Sequence, residues 1–177
     1  MLRRTRQDGM TSKTKNATRS ASSAAIAFTT LSLALSALPY TSFAKTPGAT
    51  YCFNGICHRV QTIEEVRAQI GRKETVGASF YDDCKADPGN PCTPLSSGEE
   101  LHADRPDNAA SPVYPNGTVL TLSNPKNNTR ARVRINNSGP YIKGRLLDVS
   151  RATAVQLGFI DAGTAKLNVT VVREPRD

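Results

Sequence analysis

Four cysteines carry the most reactive side chains of this 177-residue chain: Cys52, Cys57, Cys84 and Cys92. Four cysteines allow three pairings, and the simplest joins neighbours in the sequence, the first to the second and the third to the fourth. The segment between the last two contains two prolines, a glycine and an asparagine, which favour a turn that brings its ends together. A structural zinc site is the alternative, but no two cysteines have the tight spacing of zinc motifs and only His58 lies near them. We therefore predict two disulfides and no metal.

The amino-terminal residues indicate export to a compartment where disulfides persist. Residues 1–19 contain six basic side chains and one acid, and residues 20–44 contain an apolar run and no charge. Ser42-Phe43-Ala44 then places small residues at the two positions that a signal peptidase recognises. We predict a signal peptide over residues 1–44, cleaved after Ala44, with Met10 as an alternative start. A membrane-spanning helix is the competing interpretation, but the segment is too short and too rich in Ser and Thr.

Removal of 44 of the 177 residues leaves 133, enough for one domain with a core of limited size. The leader holds six of the 23 basic and one of the 15 acidic residues, so the net charge falls from +8 to +3. No basic run with interleaved aromatic residues appears, which argues against nucleic-acid binding. No cysteine follows the leader directly, so we expect no lipid anchor and a periplasmic or secreted protein.

Short helices are predicted at two places in the mature chain. Thr62 and Glu65 have the spacing of a capping box, and apolar residues at helical spacing follow until Gly71. Ser150 can cap a second helix over residues 151–157. Residues 45–61 are expected to form an irregular extension that the first cysteine pair ties down.

The rest of the mature chain favours strands. We predict strands over residues 78–81, 118–123, 130–136 and 167–172, and a long loop from residue 82 to about 114. In the third of these strands, Ala131, Val133 and Ile135 alternate with arginines, which indicates one buried face and arginines that point into solvent. The pattern alone predicts a mostly β domain with short helices inserted.

Five motifs carry a resemblance to a known family. In chain order they are Ala78-Ser79-Phe80-Tyr81, Ser96-Ser97-Gly98-Glu99, Asn108-Ala109-Ala110, Arg134-Ile135-Asn136-Asn137-Ser138-Gly139-Pro140 and Gly144-Arg145-Leu146-Leu147-Asp148-Val149-Ser150. Their order and spacing over residues 77–172 resemble the rare lipoprotein A (RlpA-like) proteins. The resemblance implies a six-stranded double-psi β-barrel over residues 77–173, related to expansin and barwin-like domains. A disulfide-stapled extension with a short helix, residues 45–76, would precede it.

The resemblance also implies chemistry on peptidoglycan, because characterised members are lytic transglycosylases. Cleavage of a glycosidic bond needs a carboxylic acid that protonates the departing oxygen. The family's Gly-Glu is present as Gly98-Glu99, and the acid of its Ile-Asp-Leu-Ser-like motif is present as Asp148. These two carboxyls are the implied catalytic groups, and no cofactor is needed.

Two family positions differ in this chain. Asn137 stands where the family has an aspartate, and Ser111 stands where it has a histidine. An amide cannot donate a proton as a carboxylic acid does, so we expect Asn137 and Ser111 to bind the glycan rather than cleave it. Tyr81 and Tyr141 are further candidates for substrate binding, since aromatic faces pack well on sugar rings.

Structural roles compete with these assignments. Asp148 precedes a predicted helix, where short polar side chains often cap backbone N–H groups, and Glu99 lies beside Glu100 in a polar loop where solvated carboxylates are common. Three functions therefore stay open. The first is an endolytic transglycosylase that forms 1,6-anhydromuramyl ends, the second is a non-catalytic expansin-like module that grips peptidoglycan, and the third is a barwin-like structural or inhibitor domain.

Overall fold

A computed structural model describes residues 45–87 and 94–176, which contain eight strands and two helices. The predicted signal peptide and its cleavage site lie outside these residues. The strands are β1 Thr50–Phe53, β2 Ile56–Arg59, β3 Lys73–Tyr81, β4 Asn108–Ala110, β5 Val119–Ser123, β6 Arg130–Asn137, β7 Leu147–Ser150 and β8 Thr164–Arg173. The helices are α1 Ile63–Ala68 and α2 Arg151–Gln156.

Six strands close into a barrel in the order β3-β7-β4-β6-β5-β8. Strand β3 runs parallel to β7 and antiparallel to β8, and β4 runs parallel to β6 and antiparallel to β7. Strand β5 is antiparallel to both of its neighbours. The structure therefore confirms the mostly β fold and the six-stranded double-psi barrel.

The barrel interior follows the predicted alternation of side chains. Ala131, Val133 and Ile135 of β6 are at most 5 % exposed. The alternate residues Leu167, Val169 and Val171 of β8 are buried in the same way. Arg130 and Arg132 point into solvent, as the pattern predicts, but Arg134 is only partly exposed. Its guanidinium forms an ion pair with Glu99.

Several strand boundaries differ from the prediction. Strand β3 begins at Lys73 rather than at residue 78, because its polar first residues pair with β8 while their side chains stay exposed. Strand β8 begins at Thr164 rather than at residue 167, because its first residues pair with β3 in the same way. The predicted loop over residues 82–114 contains β4, which is fully buried and too short to show a period of two.

The extension over residues 45–61 is not irregular, because β1 and β2 form an antiparallel hairpin. Its turn residues, Asn54 and Gly55, have φ values of 49° and 76°, the backbone that an Asn-Gly hairpin turn adopts. The disulfide between Cys52 and Cys57 crosses the hairpin and confirms the first predicted pairing. Cys84 is also disulfide-bonded, and its predicted partner Cys92 lies outside the described residues.

Both helix caps form as predicted. The Thr62 side chain accepts the N–H of Glu65, and the Glu65 carboxylate accepts the N–H of Thr62 in return. Helix α1 ends at Ala68, before the expected stop at Gly71. Ser150 caps α2 by accepting the N–H of Thr153. The competing assignment of Asp148 as the helix cap is therefore wrong.

No helix within residues 45–87 and 94–176 is long and apolar enough to cross a membrane. In the same residues, no three His, Cys, Asp or Glu side chains come together as a metal site would require.

We expect Gly77→Ala to destabilise the barrel, because a Cβ at this position would lie 2.0 Å from the backbone oxygen of Gly144. Neither backbone can move freely, since the N–H of Leu146 donates to the Gly77 oxygen over 2.9 Å. Overpacking of this kind lowers the free energy of unfolding by about 1–3 kcal/mol. Urea unfolding measures the loss. Lys73→Ala, an exposed change on the same strand, is the matched control, and equal stability of the two variants would contradict the close contact.

Candidate active-site groove

A groove of about 720 Å³ opens where strands β3, β4, β6 and β7 meet the β1–β2 hairpin. Four predicted site residues line it: Asp148, Asn137, Tyr81 and Tyr141. Glu99 and Ser111 do not line it. The structure thus brings together four of the six predicted catalytic and binding residues and separates the other two.

Asp148 lies on β7 between two barrel neighbours. It pairs with Ser79 of the parallel strand β3 and with Ala110 of the antiparallel strand β4. Its Oδ1 atom accepts a hydrogen bond from Ser79 Oγ over 2.7 Å. This pairing holds the carboxyl in the wall of the groove.

Burial raises the pKa of the Asp148 carboxyl from 3.8 to about 6, because the charged form loses hydration. The hydrogen bond from Ser79 and the charge of Arg145 act in the opposite direction, and the charge of Asp87 raises the pKa further. Arg145 and Asp87 line the same groove. Asp148 can therefore exist as a neutral acid near pH 6, which is the form that donates a proton.

Asn137 reaches the groove because β6 contains a bulge. Ala109 of β4 pairs with Ile135, whereas the next residue, Ala110, pairs with Asn137. Asn136 is the extra residue and is buried, at 1 % exposure, while Asn137 lines the groove. A bulge re-aims the side chains that follow it. The Asn137 Oδ1 atom accepts the backbone N–H of Ser96 over 3.0 Å, so its amide nitrogen is the group left to meet a ligand.

The two predicted tyrosines occupy different parts of the groove. Tyr81 is only 7 % exposed, and its buried hydroxyl has no hydrogen-bond partner among the described residues. Burial raises the pKa of this hydroxyl above its ordinary value, so it remains a proton donor. Tyr141 is partly exposed at the rim, where its ring centroid lies 6.1 Å from those of Phe53 and His58.

Glu99 lies outside the groove, in an ion pair with Arg134. Arg134 Nη1 and Nη2 donate to its two carboxylate oxygens over 2.8 and 2.7 Å, and Asn136 Nδ2 donates over 3.0 Å. The hydrogen bonds from Arg134 hold the pKa of Glu99 below its ordinary value. A carboxyl that stays ionised cannot act as a general acid near neutral pH. It ties the loop that contains Ser96 to strand β6.

Ser111 is completely buried and shapes the backbone beside the groove. Its hydroxyl donates to the Leu146 oxygen over 2.9 Å and accepts the N–H groups of Val113 and Tyr114. The hydroxyl donates one hydrogen bond and accepts two within the fold. It therefore has no hydrogen-bonding group left for a glycan.

Lys45 is the least expected residue near the site. Its side chain is buried at 5 % exposure, and its Nζ donates to the backbone oxygens of Ser111 over 2.6 Å and of Asn137 over 3.1 Å. Burial lowers the pKa of this ammonium from 10.5 to about 7. Lys45 does not line the groove. It holds together, from behind, the two chain segments that meet at the bulge.

Five residues that shape this site were not predicted from the sequence: Ser79, Asp87, Arg145, Lys45 and Phe53. Ser79 and Arg145 stand in the same motifs as Tyr81 and Asp148. Lys45 and Asp87 carried no local signal, and the Asn54-Gly55 turn indicated a hairpin but not the place of Phe53 in the groove.

We expect the stability difference between the natural chain and Lys45→Met to depend on pH. The folded protein binds the Lys45 proton less tightly than the unfolded chain does, so the natural chain gains stability relative to the variant between about pH 7 and pH 10.5. The slope should approach about 1.4 kcal/mol per pH unit. Urea unfolding of both proteins from pH 6 to pH 10 measures it. A difference that stays constant over this interval would contradict a buried lysine whose pKa is lowered.

Comparison with known proteins agrees with the fold. The family model described as "Lytic transglycolase", a double-psi β-barrel, matches residues 73–169. The endolytic peptidoglycan transglycosylase RlpA of Pasteurella multocida is 30 % identical over 126 residues, which cover 71 % of this chain and 40 % of that protein. The probable endolytic peptidoglycan transglycosylase RlpA of Treponema pallidum is 41 % identical over 78 residues, which cover 43 % and 24 %. The chain thus spans less than half the length of these relatives.

Among solved structures, the Streptomyces papain inhibitor shares 23 % identity with a TM-score of 0.46, over 59 % of this chain and 97 % of that one. The family assignment comes from the sequence match instead. That match spans more than half of the 177 residues and includes all six barrel strands in whole or in part. The chain therefore belongs to the lytic transglycolase family of double-psi β-barrels.

Proposed function

We propose that this protein cleaves the glycan strands of peptidoglycan as a lytic transglycosylase, with Asp148 as its acid and base. The single observation that carries the proposal is the Asp148 carboxyl, which lies in the groove wall with a pKa raised to about 6. The RlpA relatives, which are named as endolytic peptidoglycan transglycosylases, support the choice of substrate.

One carboxyl can carry the whole reaction. Protonated Asp148 gives its proton to the glycosidic oxygen as the bond from that oxygen to C1 breaks, and positive charge develops on the sugar ring. The resulting carboxylate then removes the proton from the 6-hydroxyl of the same sugar. The freed oxygen bonds to C1 and closes a 1,6-anhydro ring. Asp148 ends protonated, as it began, and neither water nor a cofactor is consumed.

The groove offers polar groups that could hold the sugar during this step. The buried Tyr81 hydroxyl lacks a partner among the described residues, and buried polar groups are rarely left unpaired without a reason. The amide nitrogen of Asn137 can donate to a sugar hydroxyl. Arg145 lines the groove as a fixed positive charge. Glu99 takes no chemical part in this proposal, because its ion pair with Arg134 keeps it ionised.

A non-catalytic glycan-binding module is the second candidate. The observation that favours it is Asn137, an amide at the position where the family has an aspartate. If catalysis needed that second carboxyl, the groove would still bind glycan through Tyr81, Asn137 and Arg145 without cleaving it. The two candidates therefore share a ligand and differ in whether a bond is broken.

We also propose export by the predicted signal peptide to the periplasm or the cell exterior, where peptidoglycan lies. The cysteine usage supports this location, since Cys52–Cys57 is disulfide-bonded and such bonds persist in oxidising compartments.

Asp148→Asn should abolish the release of fragments with 1,6-anhydromuramyl ends from stem-peptide-free glycan strands, measured by mass spectrometry. The natural protein should lose activity as the pH rises above about 6, because Asp148 then loses the proton it must donate. Asp161→Asn, the same change at an exposed loop residue, is the matched control. It should keep the activity of the natural protein and the same loss of activity above about pH 6. Cleavage by the Asp148→Asn variant would refute the assignment, and no cleavage by the natural protein with glycan binding retained would favour the binding module.

Asp148→Asn should also be more stable than the natural protein at neutral pH. The folded state binds the Asp148 proton more tightly than the unfolded chain does, so the natural protein loses stability as the pH rises from about 4 to about 6 and does not regain it above. Replacement by the neutral amide should raise the free energy of unfolding at pH 7.5 by about 1–3 kcal/mol. Urea unfolding at pH 7.5 and at pH 4 tests this, and a loss of stability at pH 7.5 would show that the buried charge is compensated.

A further inference from the structure

The β1–β2 hairpin places an exposed aromatic residue at the rim of the groove. Phe53 ends β1 and is 62 % exposed. Its ring contacts Tyr141, and both residues line the same groove as Asp148. Ile142, 45 % exposed, continues this apolar rim, and Asn54 adds an amide beside it.

The hairpin is held firmly for so small an element. A two-stranded sheet is marginal in water by itself, but the Cys52–Cys57 disulfide crosses this one. Val60 at its base is completely buried and exchanges backbone hydrogen bonds with Gly48 and Ala49. The N–H of Gln61 then donates to the Val113 oxygen over 2.8 Å. Phe53 is thus kept in a fixed position although its own side chain is mostly in water.

The hairpin lies outside the six-stranded barrel. It forms a separate two-stranded sheet and ends at Arg59, whereas the family model begins at residue 73. Its contribution to the groove is therefore an addition to the barrel.

We propose that Phe53 and Tyr141 form a subsite that stacks against one sugar ring of a glycan strand whose neighbouring ring lies beside Asp148. The proposal rests on the proposed function for its ligand and goes beyond it by assigning a second binding position. A pyranose ring has an apolar face of C–H groups and a polar edge of hydroxyls. The rim matches both, with the Phe53 and Tyr141 rings for the face and the Asn54 amide for the edge.

The occupant is inferred from the continuity of the groove. Phe53 and Asp148 line one continuous cavity, so a chain of linked sugars can pass from one to the other. Polar groups such as Asn54 and Arg145 line the groove together with the apolar rim, which suits an amphipathic sugar better than the apolar face of a protein partner.

The chain contains no tryptophan, so Phe53→Trp gives a single fluorescent probe at the proposed subsite. The measurement uses this change together with Asp148→Asn, so that no cleavage takes place. Stem-peptide-free glycan strands are the titrant. We expect a saturable change in tryptophan emission as the indole stacks on a sugar. Val155→Trp in the same background is the matched control, because Val155 is 54 % exposed on α2 and does not line the groove, and its emission should not change.

A second measurement gives the size of the effect. Phe53→Ala in the Asp148→Asn background should raise the Kd for these glycan strands about threefold to tenfold, as expected for the loss of one aromatic stacking contact. Val155→Ala should leave the Kd unchanged. Thermal unfolding of each variant verifies that the fold is retained.

Each outcome decides between the proposals. A change in the emission of Phe53→Trp on addition of glycan, together with a higher Kd for Phe53→Ala, supports the subsite. This holds even if the natural protein does not cleave glycan. Glycan binding that is the same with and without Phe53 overturns the subsite and leaves the proposed function standing. No glycan binding by any variant overturns both. A concentration-dependent dimer that Phe53→Ala abolishes, without an effect on glycan binding, would assign the rim to a second copy of the chain and overturn the subsite.

Discussion

The parallel pairing of β3 with β7 is the constraint on which the site depends. It sets Ser79 directly beside Asp148 and so supplies the hydrogen bond that a half-buried carboxyl needs. The antiparallel pairing of β7 with β4 then closes the other side of this residue. Parallel neighbours cannot be joined by a short turn. The chain between β3 and β7 runs from residue 82 to residue 146, and parts of it line the groove, including Arg145 in the loop between β6 and β7.

Ser111 and Asn137, the two residues predicted to depart from the family's motifs, meet at one place in the structure. The backbone oxygens of Ser111 and Asn137 both accept hydrogen bonds from the Lys45 ammonium, and the N–H of Ser111 also donates to the Asn137 oxygen. The chain thus has no ionisable side chain at either position but places the buried amino group of Lys45 behind them. Burial of this amino group costs free energy, which its hydrogen bonds to the two backbone oxygens offset in part.

The sequence predicted what local patterns encode. Alternation in β6, the capping box at Thr62 and the Ser150 cap each depend on residues within a few positions of one another, and the structure confirms all three. Strand β4 was missed because all three of its residues are buried, which leaves no alternation to detect. The hairpin did carry a signal, the Asn54-Gly55 turn. The contacts of Lys45 and the ion pair of Glu99 with Arg134 join residues far apart in the chain, and neither could be found without the barrel.

Asp148 and Glu99 show why the motifs alone could not choose between two candidate acids. Both carboxyls stand in motifs that carry the family resemblance, and the sequence offers no reason to prefer one of them. Their surroundings move their pKa values in opposite directions. Burial raises the pKa of Asp148, and a bidentate ion pair with Arg134 lowers the pKa of Glu99. A glycosidase acid must be protonated at the working pH while it faces its substrate. Of these two carboxyls, Asp148 is the one that suits the proposed role, because the barrel that buries it also leaves it open to the groove. Arg134 instead occupies the oxygens of Glu99 outside that groove.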